Sequence, residues 1–405
     1  MNILVEAYDC EPDRGSEFGK SWIWLVNYLR AGHQVWCLTS VRGKKGIEKK
    51  FRQEDYPRLK IIYVYVNQYL DAKAQQGDSA ILYLHYLLWL HSAANKAVEL
   101  QKNIAFDFSH HISWESLQGG SELWKLNIPF IFGPVGGGQY PPRVLKPFFI
   151  KGWRTEMIRQ FIGFLFMNLN PNTRKALSFA KKTLVLNQET EELAYRYHAK
   201  SVEYFLDINL SPDQLMAHYP QKKESDKLRL LWVGGLKFRK GLPLVLEALA
   251  HVPDYVDFEL SIYGDGEAAK YLPGLIVKMR LSEKVRWYGN KPFSELRNAY
   301  LNHDAFIFCT LRETLGLQFF EAMSYGLPII TLDLHGAKKA IPDEAALKVK
   351  VSNQKEQIVR DLAEAVAFLY KNPELRQKMG RAAFDYVTEL SETDYVKKIL
   401  GYVKA

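Results

Sequence analysis

Two glutamates eight residues apart, Glu313 and Glu321, have the types and spacing best suited to chemistry. Gly316 and an apolar run lie between them, and Gly326 and Pro328 follow. Ahead of them, Ala305–Thr310 reads as a buried parallel strand. The expected order is strand, glycine-bearing loop, helix, stop, strand. The N–H groups at the start of such a helix have no intrahelical acceptors, and the helix dipole adds positive potential there. That combination binds anions. A carboxylate beside an anion site is electrostatically out of place unless it serves hydroxyls. Two carboxylates flanking a phosphate pocket suit a ligand carrying both phosphate and sugar hydroxyls. The competing reading is a surface helix with two solvated glutamates.

Five further constellations follow expected strands, where open α/β sheets bind their ligands. Gly234-Gly235-Leu236-Lys237-Phe238-Arg239-Lys240-Gly241 carries three cations suited to a diphosphate. The glycines of Tyr263-Gly264-Asp265-Gly266-Glu267 would permit close backbone approach to a ligand. His110-His111 follows an expected strand at Phe106–Ser109, which would put at least one imidazole at the sheet edge. In Arg14-Gly15-Ser16-Glu17, Ser16 would cap a helix facing the same edge. Gly136-Gly137-Gly138 follows Pro129–Phe132 and would admit a substrate or form a mobile loop. Asp9, Glu11 and Asp13 read better as a solvated acidic loop than as a metal site, and no Asp-x-Asp is present. No metal and no cofactor are expected.

The elements that must position these residues form two series. Strands at Asn2–Tyr8, Gln34–Thr39, Ile61–Val66, Phe106–Ser109, Pro129–Phe132 and Thr183–Leu186 alternate with helices, among them Ser79–Gln101. A second series begins at Leu228–Val233 and includes Phe258–Tyr263, Val285–Tyr288 and Ala305–Thr310. Two doubly wound α/β domains facing a cleft are expected for 405 residues. Their expected bounds are 1–210 and 228–385, with 211–227 as linker and 386–405 packing back on the first domain. The first loop lacks GxGxxG and the second strand ends without an acid, which argues against a nicotinamide dinucleotide.

Composition is globular, with 47% hydrophobic and 24% charged residues. Cys10, Cys37 and Cys309 show no metal or disulfide spacing, and the N-terminus does not read as a secretory signal. A cytoplasmic location is expected. The net charge is +9, and residues 1–205 hold 26 Lys+Arg against 19 Asp+Glu. That basic half implies an acidic partner. Residues 143–175 interleave cations with Phe148, Phe149, Trp153, Phe161, Phe164 and Phe166, as an interfacial helix on an anionic membrane does. A core-packed helix with a basic face has the same composition. Nothing beyond charge supports nucleic-acid binding.

Glu313–Pro328, ETLGLQFFEAMSYGLP, resembles the Glu-x7-Glu signature of retaining glycosyltransferases of the GT-B fold, most closely glycosyltransferase family 4. Trp232-Val233-Gly234 with Lys240-Gly241, Tyr263–Gly266 and Val285–Gly289 resemble further blocks of that family. Glu11-Pro12 with Gly15–Glu17, and Gly133–Gly138, are similar to its polysaccharide-assembly subset. The resemblance implies sugar transfer from a nucleoside diphosphate sugar, most commonly uridine-linked, to a glycan or lipid-linked acceptor. It implies that Glu321 holds the ribose, Glu313 serves the transferred sugar, and backbone near Gly316, Leu317 and Gln318 holds the diphosphate. Lys240 would stabilise the leaving group, and His111 or His110 would contact the sugar. One position departs from the pattern: Gly235 stands where the family usually has arginine, so Lys237 or Arg239 would have to substitute. The alternatives are a nucleotide-sugar epimerase of the same fold and an inactive nucleotide-sugar-binding subunit.

Overall fold

The structure is a computed structural model that describes all residues except 13, 15, 16, 78, 209, 211–213, 223, 224 and 405, and the side chains of 79 and 80. The chain forms two compact units. The N-terminal unit comprises residues 1–138, 161–209 and 394–405, and the C-terminal unit comprises 139–160 and 210–393. The expected bounds are corrected at three places. Residues 139–160 belong to the C-terminal unit, residues 210–227 are counted with it, and the return to the N-terminal unit begins at residue 394.

The N-terminal unit is built on β1 (Asn2–Ala7), α1 (Glu17–Arg30), β2 (Gln34–Thr39), α2 (Lys44–Lys50), β3 (Leu59–Tyr63), α3 (Gln68–Gln76), α4 (Ser79–Gln101), β4 (Phe108–Ser113) and β5 (Phe130–Val135). After α5 (Trp153–Leu169) come α6 (Pro171–Phe179), β6 (Lys182–Val185), α7 (Gln188–Arg196) and β7 (Val202–Tyr204). Residues of α5 up to Gln160 count with the C-terminal unit and those from Phe161 with the N-terminal unit. The sheet order is β3-β2-β1-β4-β5-β6-β7, parallel throughout, which is the doubly wound order extended by one strand. Both faces are covered, so the strands are apolar on both sides. Leu4, Trp36, Phe130 and Phe132 pack with Tyr86 and Trp89 of α4 on one face. Ile3, Val5, Cys37 and Ile131 pack with Trp24 and Tyr28 of α1 on the other.

The C-terminal unit contains β8 (Leu228–Val233), α8 (Leu242–Leu249), β9 (Phe258–Tyr263), α9 (Leu272–Lys278), β10 (Val285–Trp287), α10 (Phe293–Asn302), β11 (Ala305–Ile307), α11 (Leu317–Ser324) and β12 (Ile329–Leu332). Then come α12 (His335–Ala340), β13 (Ala346–Val349), α13 (Lys355–Lys371) and α14 (Pro373–Ser391). The sheet order β10-β9-β8-β11-β12-β13 is the same doubly wound order, again parallel. The last helix, α15 (Tyr395–Lys404), places Tyr395, Val396 and Ile399 in the α1-side core of the N-terminal unit.

Candidate functional site

The C-terminal unit gathers its polar residues at the carboxyl ends of β8 and β11. After β8 the chain makes a short 3-10 turn, Phe238–Lys240, that turns Lys240 inward. Its ammonium is buried, 5.1 Å from the centroid of the Phe308 ring. After β11 the loop brings Glu313 against it. Lys240 Nζ donates to Glu313 Oε2, and Arg239 Nη1 donates to the same oxygen at 2.9 Å and to the Arg312 carbonyl at 3.1 Å. Burial alone would raise the Glu313 carboxyl. Lys240 and Arg239 outweigh it and hold the group well below the usual carboxylate range. Burial pushes the Lys240 ammonium down, with Glu313 opposing.

Gly316 opens α11 from the left-handed region, with φ +86°, and no side chain caps the helix. A β-carbon there would meet the Phe319 ring at 2.9 Å, so the turn needs glycine on two counts. The N–H groups of Leu317 and Gln318 therefore begin a helix four to five residues beyond Glu313 without intrahelical acceptors. Glu321 sits on the same helix. Tyr300 Oη donates to it at 3.0 Å and Gln214 Nε2 at 2.8 Å. Burial raises its carboxyl, with those two hydrogen bonds opposing. Tyr300 stacks on Tyr325 with ring centroids 5.1 Å apart. Sequence reasoning missed Tyr300 and Gln214, because neither lies in a glycine-bearing loop.

The other C-terminal candidates divide. Lys237 is exposed, near enough to Lys240 to oppose its charge. Gly235 faces open space, the nearest atom to a built β-carbon being the Asp265 carbonyl oxygen at 3.9 Å. Gly264 has a different role from the expected one. Its α-carbon lies against the Gly234 carbonyl, so its lack of a side chain lets two loops of the protein approach each other.

A second set of braces comes from residues 139–160, a stretch for which the sequence offered a membrane-facing or core-packed helix but no support for Glu313. Gln139 Nε2 donates to Thr314 Oγ1 at 2.8 Å. Arg312 Nε lies 2.8 Å from Glu156 Oε1, and Arg159 Nη2 lies 2.6 Å from the same oxygen. Glu156 is buried. These contacts fall on the two residues that flank Glu313. Gly152 packs against Phe238, where a β-carbon would come within 2.7 Å, just ahead of Arg239 and Lys240. Leu145, Phe148 and Phe149 of the preceding 3-10 helix are buried too. The expected interfacial helix over 143–175 is corrected accordingly: its first third is core of the C-terminal unit.

In the N-terminal unit the strand-end candidates are internal. β4 runs on to Ser113, so His110 and His111 lie within a strand rather than after one. His110 Nδ1 pairs with Tyr28 Oη at 2.8 Å and Nε2 with the Gly133 carbonyl at 2.7 Å. Burial lowers its pKa to about 3, so it is a neutral packing residue, not an acid or base. His111 faces the opposite side. Its Nδ1 pairs with Glu6 Oε2 at 2.6 Å, and Ser121 Oγ donates to that oxygen at 2.7 Å. Both rings are fully buried. Gly136 N–H donates to the Glu115 carbonyl at 3.0 Å, Gly138 N–H to Thr190 Oγ1 at 3.1 Å, and Gln118 Nε2 to the Gly137 carbonyl at 2.7 Å. The three glycines thus form a packed junction, which corrects the open or mobile loop expected. Asp9 is held by Arg42 and Trp114, and Glu11 by Arg14. Asp13, Gly15 and Ser16 lie outside the described residues.

With this geometry in place, comparison with known proteins defines the fold. Sucrose-phosphate synthase from Thermosynechococcus elongatus superposes with a TM-score of 0.64 at 16% identity, over 96% of this chain and 94% of that one. Anabaena HepE, solved in complex with UDP and glucose, superposes with a TM-score of 0.61 at 13% identity, over 99% of both chains. The architecture is GT-B, two parallel-sheet Rossmann-like domains. Residues 217–386 match the family model Glycosyl transferases group 1. An uncharacterized glycosyltransferase of Methanocaldococcus jannaschii is 26% identical over 139 residues, which is 34% of this chain and 36% of that relative's length.

Proposed function

We propose that the protein is a retaining glycosyltransferase of family 4. It moves a sugar from a nucleoside diphosphate donor to a glycan or lipid-linked saccharide in surface polysaccharide assembly. The carrying observation is the Lys240–Arg239–Glu313 cluster, whose carboxylate stands four residues ahead of the uncapped α11 N-terminus. That places two cations and two free N–H groups where a diphosphate can lie, beside a carboxylate held ionised. Uridine diphosphate glucose is the donor we favour, in keeping with the UDP and glucose bound to HepE.

In this reading Glu321 exchanges its Tyr300 or Gln214 partner for the ribose hydroxyls. Lys240 and the α11 amides take up charge as the glycosidic bond to phosphate breaks, which is preorganised electrostatic stabilisation. Glu313 orients Lys240 and meets the sugar. The departing phosphate accepts the acceptor's hydroxyl proton on the face it leaves, so configuration is kept and no metal is required. The protein works peripherally at the inner face of the plasma membrane.

Release of nucleoside diphosphate from a panel of sugar nucleotides tests the reading. Turnover with one donor, lost in Glu313→Gln and Lys240→Ala, is expected. No turnover with any donor would overturn it in favour of a binding subunit.

A further inference from the structure

The N-terminal unit holds a feature that sugar transfer does not use. Between α4 and the second half of α5 lies a cavity of about 470 Å³, walled by Leu87, Leu90, Leu165, Phe166 and Leu169 of the helices and by Gly119, Ser121, Glu122, Asn170 and Asn172 of the adjoining segments. The same two helices carry large apolar side chains outward around it. Leu84 is 53% exposed, Phe161 62%, Phe164 58% and Leu169 73%. Single exposed apolar residues are ordinary, but a cluster of this kind on neighbouring helices marks an interaction surface.

The border has a different chemistry. Trp124 and Phe179 pair at 5.7 Å, and Phe179 is 58% exposed. Lys175 lies 4.5 Å from the Trp124 ring centroid and Lys125 lies 5.8 Å from it. Arg174, beside Lys175 on α6, bonds the Asn168 carbonyl at 2.8 Å. The nearby acid, Glu122, is taken up by Lys125, Asn172 and His91. So the helix side of the cavity is hydrocarbon, the one carboxylate in its wall is paired with Lys125, and the edge is aromatic and cationic. A bilayer matches this layering: acyl chains take the apolar centre, and the headgroup region favours aromatic rings and cations at the edge.

We infer that this face docks on an anionic phospholipid bilayer and that one acyl chain enters the cavity between α4 and α5. The inference deepens the peripheral-membrane reading above: of residues 143–175 it keeps 161–175, on α5 and α6, and it adds α4. It does not depend on sugar transfer.

The test is co-sedimentation of the full chain with vesicles of phosphatidylcholine, alone or mixed with phosphatidylglycerol, at low salt. Binding to the mixed vesicles, reversed by salt, is expected. Phe161→Ser with Phe164→Ser should weaken it by about tenfold or more. Arg174→Glu and Lys175→Glu should each weaken it by about fivefold and flatten its salt dependence. Leu165→Trp should fill the cavity and lower affinity without changing charge. Thermal melting of each variant separates lost docking from lost fold. A wild-type chain that stays in the supernatant, or folded variants that bind as well as wild type, would overturn the docking face. Unchanged binding by folded Leu165→Trp would overturn the acyl-chain site. Vesicle binding with no donor turnover would leave the docking standing and remove the transfer reading.

Discussion

The two units share a strand order but spend their strand-end polar residues differently. In the C-terminal unit Lys240, Arg239 and Glu313 meet at the loop ends, beside a helix that starts without a cap. In the N-terminal unit the corresponding positions are closed. His110 is spent on Tyr28 and Gly133, His111 on Glu6, and Asp9 on Arg42 and Trp114. The same architecture thus yields an ionic site in one unit and a polar core in the other. What separates them is strand length: β11 ends three residues before Thr310, whereas β4 runs past its histidines to Ser113.

Substitutions can break or sharpen this contrast. Lys240→Ala should have the largest effect, lowering kcat by about 10²–10³-fold if the site stabilises a leaving diphosphate. Steady-state kinetics with saturating donor measures it. Glu156→Ala strands Arg312 in a mostly buried position and should cost roughly 3 kcal/mol of stability. Denaturant melts report the loss, and kcat should fall with it because the Glu313 loop loses a brace. His110→Phe should cost roughly 2 kcal/mol, since Tyr28 and Gly133 lose their partner. Its kcat should stay within about twofold of wild type. A kcat collapse in a folded His110→Phe protein would show that the N-terminal unit is not the closed one.

Glu321→Gln joins stability to function. Burial raises the Glu321 carboxyl in the folded protein. The stability it contributes is complete below the ordinary carboxylate value and is lost as pH rises through the raised one. Glu321→Gln should remove that slope and raise the melting temperature of the ligand-free protein at neutral pH. Donor KM should rise by about tenfold, since a charged acceptor for hydroxyls is gone. The smallest effect is Gly235→Arg. The position is open and its backbone is not in the left-handed region, so a side chain fits. It should lower donor KM by roughly threefold by adding a cation near the diphosphate.

The C-terminal site was legible because its parts are close in sequence. Glu313, Gly316 and Glu321 lie within one loop and helix, and the expected strands Leu228–Val233 and Phe258–Tyr263 match the structure residue for residue. The N-terminal histidines misled for a physical reason. His110-His111-Ile112-Ser113 has no apolar alternation, and it stays a strand because Tyr28 and Glu6, 82 and 105 residues away, satisfy its rings. Residues 139–160 carried no local signal of this bracing role, their cations and aromatics reading instead as part of a membrane-facing helix. Their partners Arg312 and Thr314 lie more than 150 residues downstream, so only the folded chain reveals them.

Those 22 residues also limit how the protein can be recombined. The chain leaves the N-terminal unit after residue 138 and comes back at 161, carrying Gln139 and Glu156 with it. A chimera that joins the C-terminal half of this chain to a relative's N-terminal half at the linker would inherit Glu313 and Lys240 but not their supports. The unit of exchange is therefore discontinuous: residues 139–160 and 210–393 have to travel together.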